Sequence, residues 1–170
     1  GKRDVIPPKL VESLPENQST NFKERTIQLK FDEFVQIKDL SNQLIITPRL
    51  KNTPEISAEG KKVIIHLGKE ELLPNTTYRF SFGKAIADMN ESNSIPNFEY
   101  VFSTGASIDT LELKGKVKDA FNNKPVGTVL VALYPLASAN DSAVYKNEPA
   151  YYTKSNDNGE FLLKYLPAKT

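Results

Sequence analysis

The stretch Leu72–Phe82, LLPNTTYRFSF, decides the fold. Pro74 and Asn75 make a turn, and Tyr78, Phe80 and Phe82 then alternate with Arg79 and Ser81. A period of two sends the three aromatic side chains to one face of a strand and the polar groups to the other. The spacing Leu72-x-Pro74-x-Thr76-x-Tyr78 is the layout of a tyrosine corner, in which a Tyr at the start of a strand reaches back to bond backbone just upstream. Leu72, Pro74, Thr76 and Tyr78 are therefore read as scaffold, with no chemistry of their own.

The same period recurs on either side of this stretch. Phe98–Thr104, FEYVFST, puts Phe98, Tyr100 and Phe102 on one face, and Thr26–Phe31, TIQLKF, does so with Ile27, Leu29 and Phe31. Lys9–Leu14 is a short strand closed by Pro15-Glu16-Asn17, and Leu44–Thr47 ends at Pro48. Glu55–Ala58 and Lys62–Leu67 flank Glu59-Gly60, the signal of a hairpin turn. Ala85–Pro96 reads as a polar loop. About seven short strands thus fall between turn signals in the first hundred residues, which predicts an antiparallel β-sandwich. No stretch is convincingly helical, and Lys69–Leu73 allows one helical turn at most.

Gly105–Thr110 reads as a linker, after which the pattern restarts. Leu111–Val117 and Val126–Tyr134 are predicted strands, and Tyr151–Lys154 with Glu160–Leu166 form a hairpin around Asn156-Asp157-Asn158-Gly159, since Asn-Gly is among the strongest short turn signals. Pro135–Asn147 is a loop of small and polar residues. The expected organisation is an extended N-terminal tether over 1–7, stiffened by Pro7-Pro8, a sandwich over 8–104, a linker over 105–110 and a second β module over 111–170.

Composition narrows the function classes. Of 170 residues, 39% are hydrophobic and 25% charged, which suits a packed core. The net charge of +1 lacks the basic footprint of a nucleic-acid binder. The absence of Cys removes disulfides, thiolate metal sites and a Cys nucleophile together. No apolar run approaches the ~20 residues of a membrane helix. Gly1-Lys2-Arg3-Asp4 carries no signal peptide, so any targeting segment is expected upstream.

Pro7-Pro8, Leu29–Glu33, Leu73–Tyr78, Ala87–Asn90 and Phe102–Thr104, in that order and spacing, resemble the bacterial Ig-like domain of the S-layer-protein type. The longer wording, FDEFVQIKDL through NTTYRFSFGKAIADMNESN to YVFSTG, is most similar to the Ig-like domain of surface lipoproteins of Bacteroidetes-type bacteria. The resemblance implies an exported protein, periplasmic or on the outer membrane or cell surface, reaching the membrane only through a lipid anchor upstream of this chain. Gly115-Lys116-Val117, Lys124-Pro125-Val126, Val129–Leu133, Asn156–Phe161 and Leu166-Pro167 resemble a carboxypeptidase-regulatory-like, transthyretin-like β-sandwich, with Ser155-Asn156-Asp157 a mild departure from its pattern. Members of that family continue past the Leu-Pro with further strands. The second module is therefore expected to be incomplete: poorly ordered, packed on the first module or completed by another chain.

Candidate chemistry is sparse. His66, the one histidine, shares a strand face with Ile64, and a lone His makes no His-rich zinc site. Asp32 and Glu33 are consecutive and face opposite ways on a strand, so they are not a facing catalytic pair. Glu70-Glu71 is read as a solvated turn. The Asp88–Asn93 loop offers oxygen ligands at alternating positions, with Asp88, Asn90 and Asn93 as a weak Ca²⁺ candidate. EF-hand spacing fails there, and an Asx-rich connection that bonds its own backbone is the preferred reading. The resemblance adds O-glycosylation at Asp-Ser/Thr-apolar triplets, which Thr110 and Ser142 fit. The reading is of an all-β, non-enzymatic cell-envelope protein without a cofactor. Its Ig-like module is a spacer or protein-interaction module that meets an unidentified protein or envelope partner, with no nucleic acid involved. The alternatives are a glycan-binding module, for which Tyr151-Tyr152 supplies the one outward aromatic, and an accessory domain of a larger enzyme.

Overall fold

The computed structural model describes residues 1–134 and 151–168. They fall into two compact units: Gly1–Ile46 with Leu50–Ile108, and Thr47–Arg49 with Asp109–Thr170.

Nine short strands fall within residues 10–103: β1 (Leu10–Leu14), β2 (Thr26–Phe31), β3 (Val35–Ile37), β4 (Ile45–Thr47), β5 (Glu55–Glu59), β6 (Lys62–His66), β7 (Thr77–Ser81), β8 (Ile86–Asp88) and β9 (Glu99–Ser103). One sheet has the order β1-β2-β6-β5, a second β4-β7-β9, and β3 pairs with β8 as a ribbon. The inward residues of the two sheets, Ile27, Leu29, Phe31, Val63 and Ile65 from one and Tyr78, Phe80, Tyr100 and Phe102 from the other, meet in a single core. Each is almost fully buried. Burying side chains of this size stabilises by about 1.5–3 kcal/mol apiece.

Aromatic packing organises that core. Tyr78 and Phe102 are cross-strand partners on β7 and β9, with ring centroids 5.4 Å apart. Phe22 stacks on Phe102 at 3.9 Å, and Phe80 and Tyr100 complete its surroundings. Tyr100 donates its hydroxyl to Pro15 O at 2.8 Å, and burial pushes that hydroxyl up to about 12. The outer edge of β9 is covered by the segment before β2. Gln18 N–H donates to Val101 O, Ser103 N–H to Ser19 O and Phe22 N–H to Ser103 O, and Asn17 Oδ1 accepts from Val101 N–H at 2.9 Å. Pairing this row removes an open sheet edge.

Leu72–Phe82 folds as a corner followed by β7. Leu73 N–H donates to the Tyr78 hydroxyl at 2.9 Å, so the side chain reaches five residues back over the turn. Thr76 Oγ1 donates to Pro74 O. Thr104, at the end of β9, locks the turn from outside: its Oγ1 accepts Thr76 N–H at 3.0 Å and donates to Leu73 O at 2.6 Å.

Three local expectations change. Ile86–Asp88 is not loop: β8 forms there because Ile86 and Ala87 are fully buried and, with Asp88, pair with β3. The helical turn lies at Leu40–Gln43 (α1), where Asn42 Nδ2 bonds Asp39 Oδ1, and Lys69–Leu73 is not helical. In the second unit, the strand expected over Val126–Tyr134 is confined to Leu130–Leu133, because Thr128 turns to positive φ and Val129 N–H is taken by Ser155 Oγ.

The described strands of the second unit are β10 (Leu111–Lys116), β11 (Leu130–Leu133), β12 (Tyr151–Lys154) and β13 (Glu160–Leu166). They form two antiparallel ribbons, β10-β13 and β11-β12. Asn156 Oδ1 accepts the N–H groups of Asn158 and Glu160, closing the turn between β12 and β13. Gly159 follows at φ 75°, where a Cβ would run into Val117 O. Leu163 is buried, whereas Leu111, Leu113, Leu130 and Leu162 are exposed.

Replacing Tyr78 with Phe removes one hydrogen bond and keeps the ring, so the first unit should lose about 1 kcal/mol. Urea denaturation followed by tyrosine fluorescence measures this, and an unchanged midpoint would exclude a stabilising role for the hydroxyl.

Candidate functional site

The first unit has two chemically distinct ends. Residues before β2, after β6, before β7 and after β9 gather at one. Residues after β2, between β5 and β6, and after β8 gather at the other.

The first end holds an open cleft of about 700 Å³, lined by Phe22, Lys23, Arg25, Gly68–Pro74 and Thr104. Arg25 spans its wall, donating Nε–H to Gly68 O at 3.0 Å and Nη2–H to Glu70 O at 2.5 Å. Glu70, expected in solvent, is 4% exposed. Its carboxylate accepts the N–H groups of Lys51 and Asn52 at 2.8 and 2.9 Å and Asn52 Nδ2 at 2.8 Å. Burial works to raise its pKa. The hydrogen bonds from Lys51 and Asn52 outweigh burial and hold the carboxyl below its ordinary value. Glu70 therefore pins the loop before β5 to the turn before β7. An acidic pair beside a Pro-Asn turn gives no sequence signal of this, because the donors come from 18 and 19 residues away.

The second end is built on Asp88. Its Oδ1 accepts the N–H groups of Asn90, Glu91 and Ser92 at 2.9, 2.6 and 3.2 Å, and Oδ2 accepts Asn93 N–H at 2.7 Å. Burial opposes its charge, and these four bonds outweigh burial and lower the pKa. Both oxygens that would have served a Ca²⁺ ion are thus engaged with backbone. Asn93 Nδ2 donates instead to Asp4 O, and Asn90 is exposed. Among the described residues, no group of three or more His, Cys, Asp or Glu side chains could hold a metal ion. Gln36 Nε2 reinforces the loop through Asp88 O and Ser92 Oγ.

Around this loop lie Asp4, Asp32, Glu33 and Glu91. The Glu33 carboxyl is pushed up, first by desolvation and then by the neighbouring carboxylates Asp88, Asp32, Asp4 and Glu91. Phe34 and Met89, 60% and 54% exposed, stand in the same place.

His66 occupies a cross-strand row with Thr26 and Glu55. Thr26 Oγ1 is 3.4 Å from Nδ1, and the row lies on the solvent-facing side of the sheet, where a contact of this length is weak. Tyr151 and Tyr152 are both half-buried. Thr110 is exposed, and Ser142 lies outside the described residues. No helix among the described residues is long and apolar enough to cross a membrane.

Residues 4–104 match the bacterial Ig-like domain family. A search of curated proteins finds no match. Among solved structures, the chain is similar to PcoC, a methionine-rich copper resistance protein from Escherichia coli, at 19% identity and a TM-score of 0.37, covering 56% of this chain and 96% of that one. The selenomethionine form of PcoC matches at 21% identity and a TM-score of 0.39, covering 56% and 98%.

The folded-state pKa values of Glu70 and Asp88 are lowered. Their contribution to stability is complete above about pH 4, where unfolded carboxylates are ionised, and is lost as pH falls through the lowered folded values. Urea midpoints of the intact chain measured from neutral to acid pH should fall below about pH 4. The Glu70→Gln/Asp88→Asn double variant should begin less stable and show a shallower acid loss.

Proposed function

The chain belongs, over residues 4–104, to the bacterial Ig-like domain family, and on that premise we propose that it is a non-catalytic, exported module of a cell-envelope protein that acts as a spacer or protein-interaction domain. The observation that carries this reading is the use to which the first unit puts its two buried carboxylates. Glu70 and Asp88 each give both oxygens to hydrogen bonds that hold neighbouring loops. Buried ionisable groups are costly and gather at catalytic centres when they serve chemistry. Here they serve shape, and a rigid frame with defined loops at each end is what a spacer or docking domain needs.

The finer reading is a surface lipoprotein anchored through an upstream lipidated Cys, with the tether, sandwich, linker and second module divided at 1–7, 8–104, 105–110 and 111–170. The second module is a carboxypeptidase-regulatory-like sandwich that needs further strands. The exposed leucines of β10 and of its partner β13 support this, because apolar side chains on a ribbon call for a covering layer. Thr110, in the linker, and Ser142 are the O-glycosylation acceptors of this reading.

Fractionation of the producing cells, with a clickable palmitate analogue in the medium, tests the reading. The full-length protein is expected in the envelope fraction carrying the label, and a cytosolic, unlabelled protein overturns it. Intact mass of the native protein is expected to include added hexose, and an unmodified mass removes the glycosylation sites. In hydrogen exchange on the 170-residue chain, β10 amides should exchange faster than those of β2, β6 and β7, and equal protection would count against an incomplete second module.

A further inference from the structure

The Asp88 end of the first unit presents two large apolar side chains side by side. Val35 and Asp88 are partners on β3 and β8, and the next pair outward is Phe34 with Met89, joined by Met89 N–H to Phe34 O at 3.1 Å. Val35 and Asp88 turn inward and are buried, so the neighbouring pair turns outward. Both positions are held firmly. Val35 N–H donates to Gly60 O, and the Asp88 cradle fixes the loop that follows Met89.

The surroundings of this pair are acidic. Asp4, Asp32 and Glu91 stand close enough to Glu33 for their charges to act on it, together with Asp88. Lys61 Nζ lies 5.8 Å from the Phe34 ring centroid and 3.4 Å from Asp32 O, so one face of that ring already takes a cation. The chain as a whole has a net charge of +1. The carboxylates are therefore a local cluster beside an apolar pair rather than a property of the whole chain.

We infer that the Phe34–Met89 pair and its rim of carboxylates form a docking surface for a cationic peptide segment that presents a bulky apolar side chain beside Lys or Arg. The apolar side chain would pack on Phe34 and Met89, and the basic ones would meet Asp32, Glu33 and Glu91. Exposed aromatic and Met side chains ringed by charge are the usual composition of a contact centre with a polar rim. The sign of the rim selects the partner and excludes anionic ones such as acidic lipid surfaces. This surface deepens the protein-interaction reading above and rests on it.

An unbiased peptide-display selection on the folded 170-residue chain tests the surface. Enriched peptides are expected to combine Lys or Arg with Leu, Ile, Phe or Trp, and their binding, read by fluorescence anisotropy, should weaken as salt rises from ~0.05 to ~0.5 M. Affinity should fall roughly tenfold or more in Phe34→Ser/Met89→Ser and in Asp32→Asn/Glu33→Gln/Glu91→Gln. It should stay unchanged in Val11→Ser, which removes an exposed apolar residue on β1. Thermal melts confirm that each variant is folded, and a rim set that unfolds is replaced by Glu91→Gln alone, with the same expectation of weaker, less salt-sensitive binding. Enrichment of neutral or acidic peptides, no enrichment, or peptides indifferent to both variant sets overturns the proposal. Such a failure leaves envelope localisation standing, since fractionation reads that independently.

Discussion

The ring of Phe102 is the point on which the first unit depends. Four aromatic residues surround it, drawn from β7, from β9 itself and from the segment before β2. Phe22 brings that segment against β9, and the backbone hydrogen bonds from Gln18 to Phe22 then run along the strand edge. Tyr78 brings the turn before β7 under its own hydroxyl. Packing at one position therefore closes a sheet edge and sets a corner, because each ring carries with it a backbone whose polar groups must then find partners.

Two buried carboxylates do at the ends of the sandwich what the aromatics do at its centre. Glu70 binds backbone 18 and 19 residues away, and Asp88 binds four of the next five residues, Asn90 to Asn93. A carboxylate offers about four acceptor sites, so one side chain orders a loop that has no ladder of its own. The outcome is a sandwich whose ends are defined surfaces: a cleft by Arg25 at one, and an apolar pair in an acidic rim at the other.

Much of this is legible in the sequence. Period-two alternation located β2, β6, β7 and β9 within a residue or two, and Gly60 marked the hairpin between β5 and β6. The short ribbon β3-β8 was not legible. Three residues are too few to show a period, and the polar run after Asp88 masked the buried Ala85, Ile86 and Ala87 before it. Of the two ends, the Asp88 loop showed itself as an Asx-rich connection, whereas Glu70 looked like a solvated turn residue.

Local period and spacing are enough to place the core-facing side chains, the all-β class and the tyrosine corner. Tertiary structure alone decided where the charges act. Thr104 reaches the corner, Lys51 and Asn52 reach Glu70, and Phe34 meets Met89 only because strands distant in the chain lie side by side. Hydrogen bonds and patches of this kind depend on which loops share an end of the sandwich, and strand pairing settles that once the apolar faces have closed on each other.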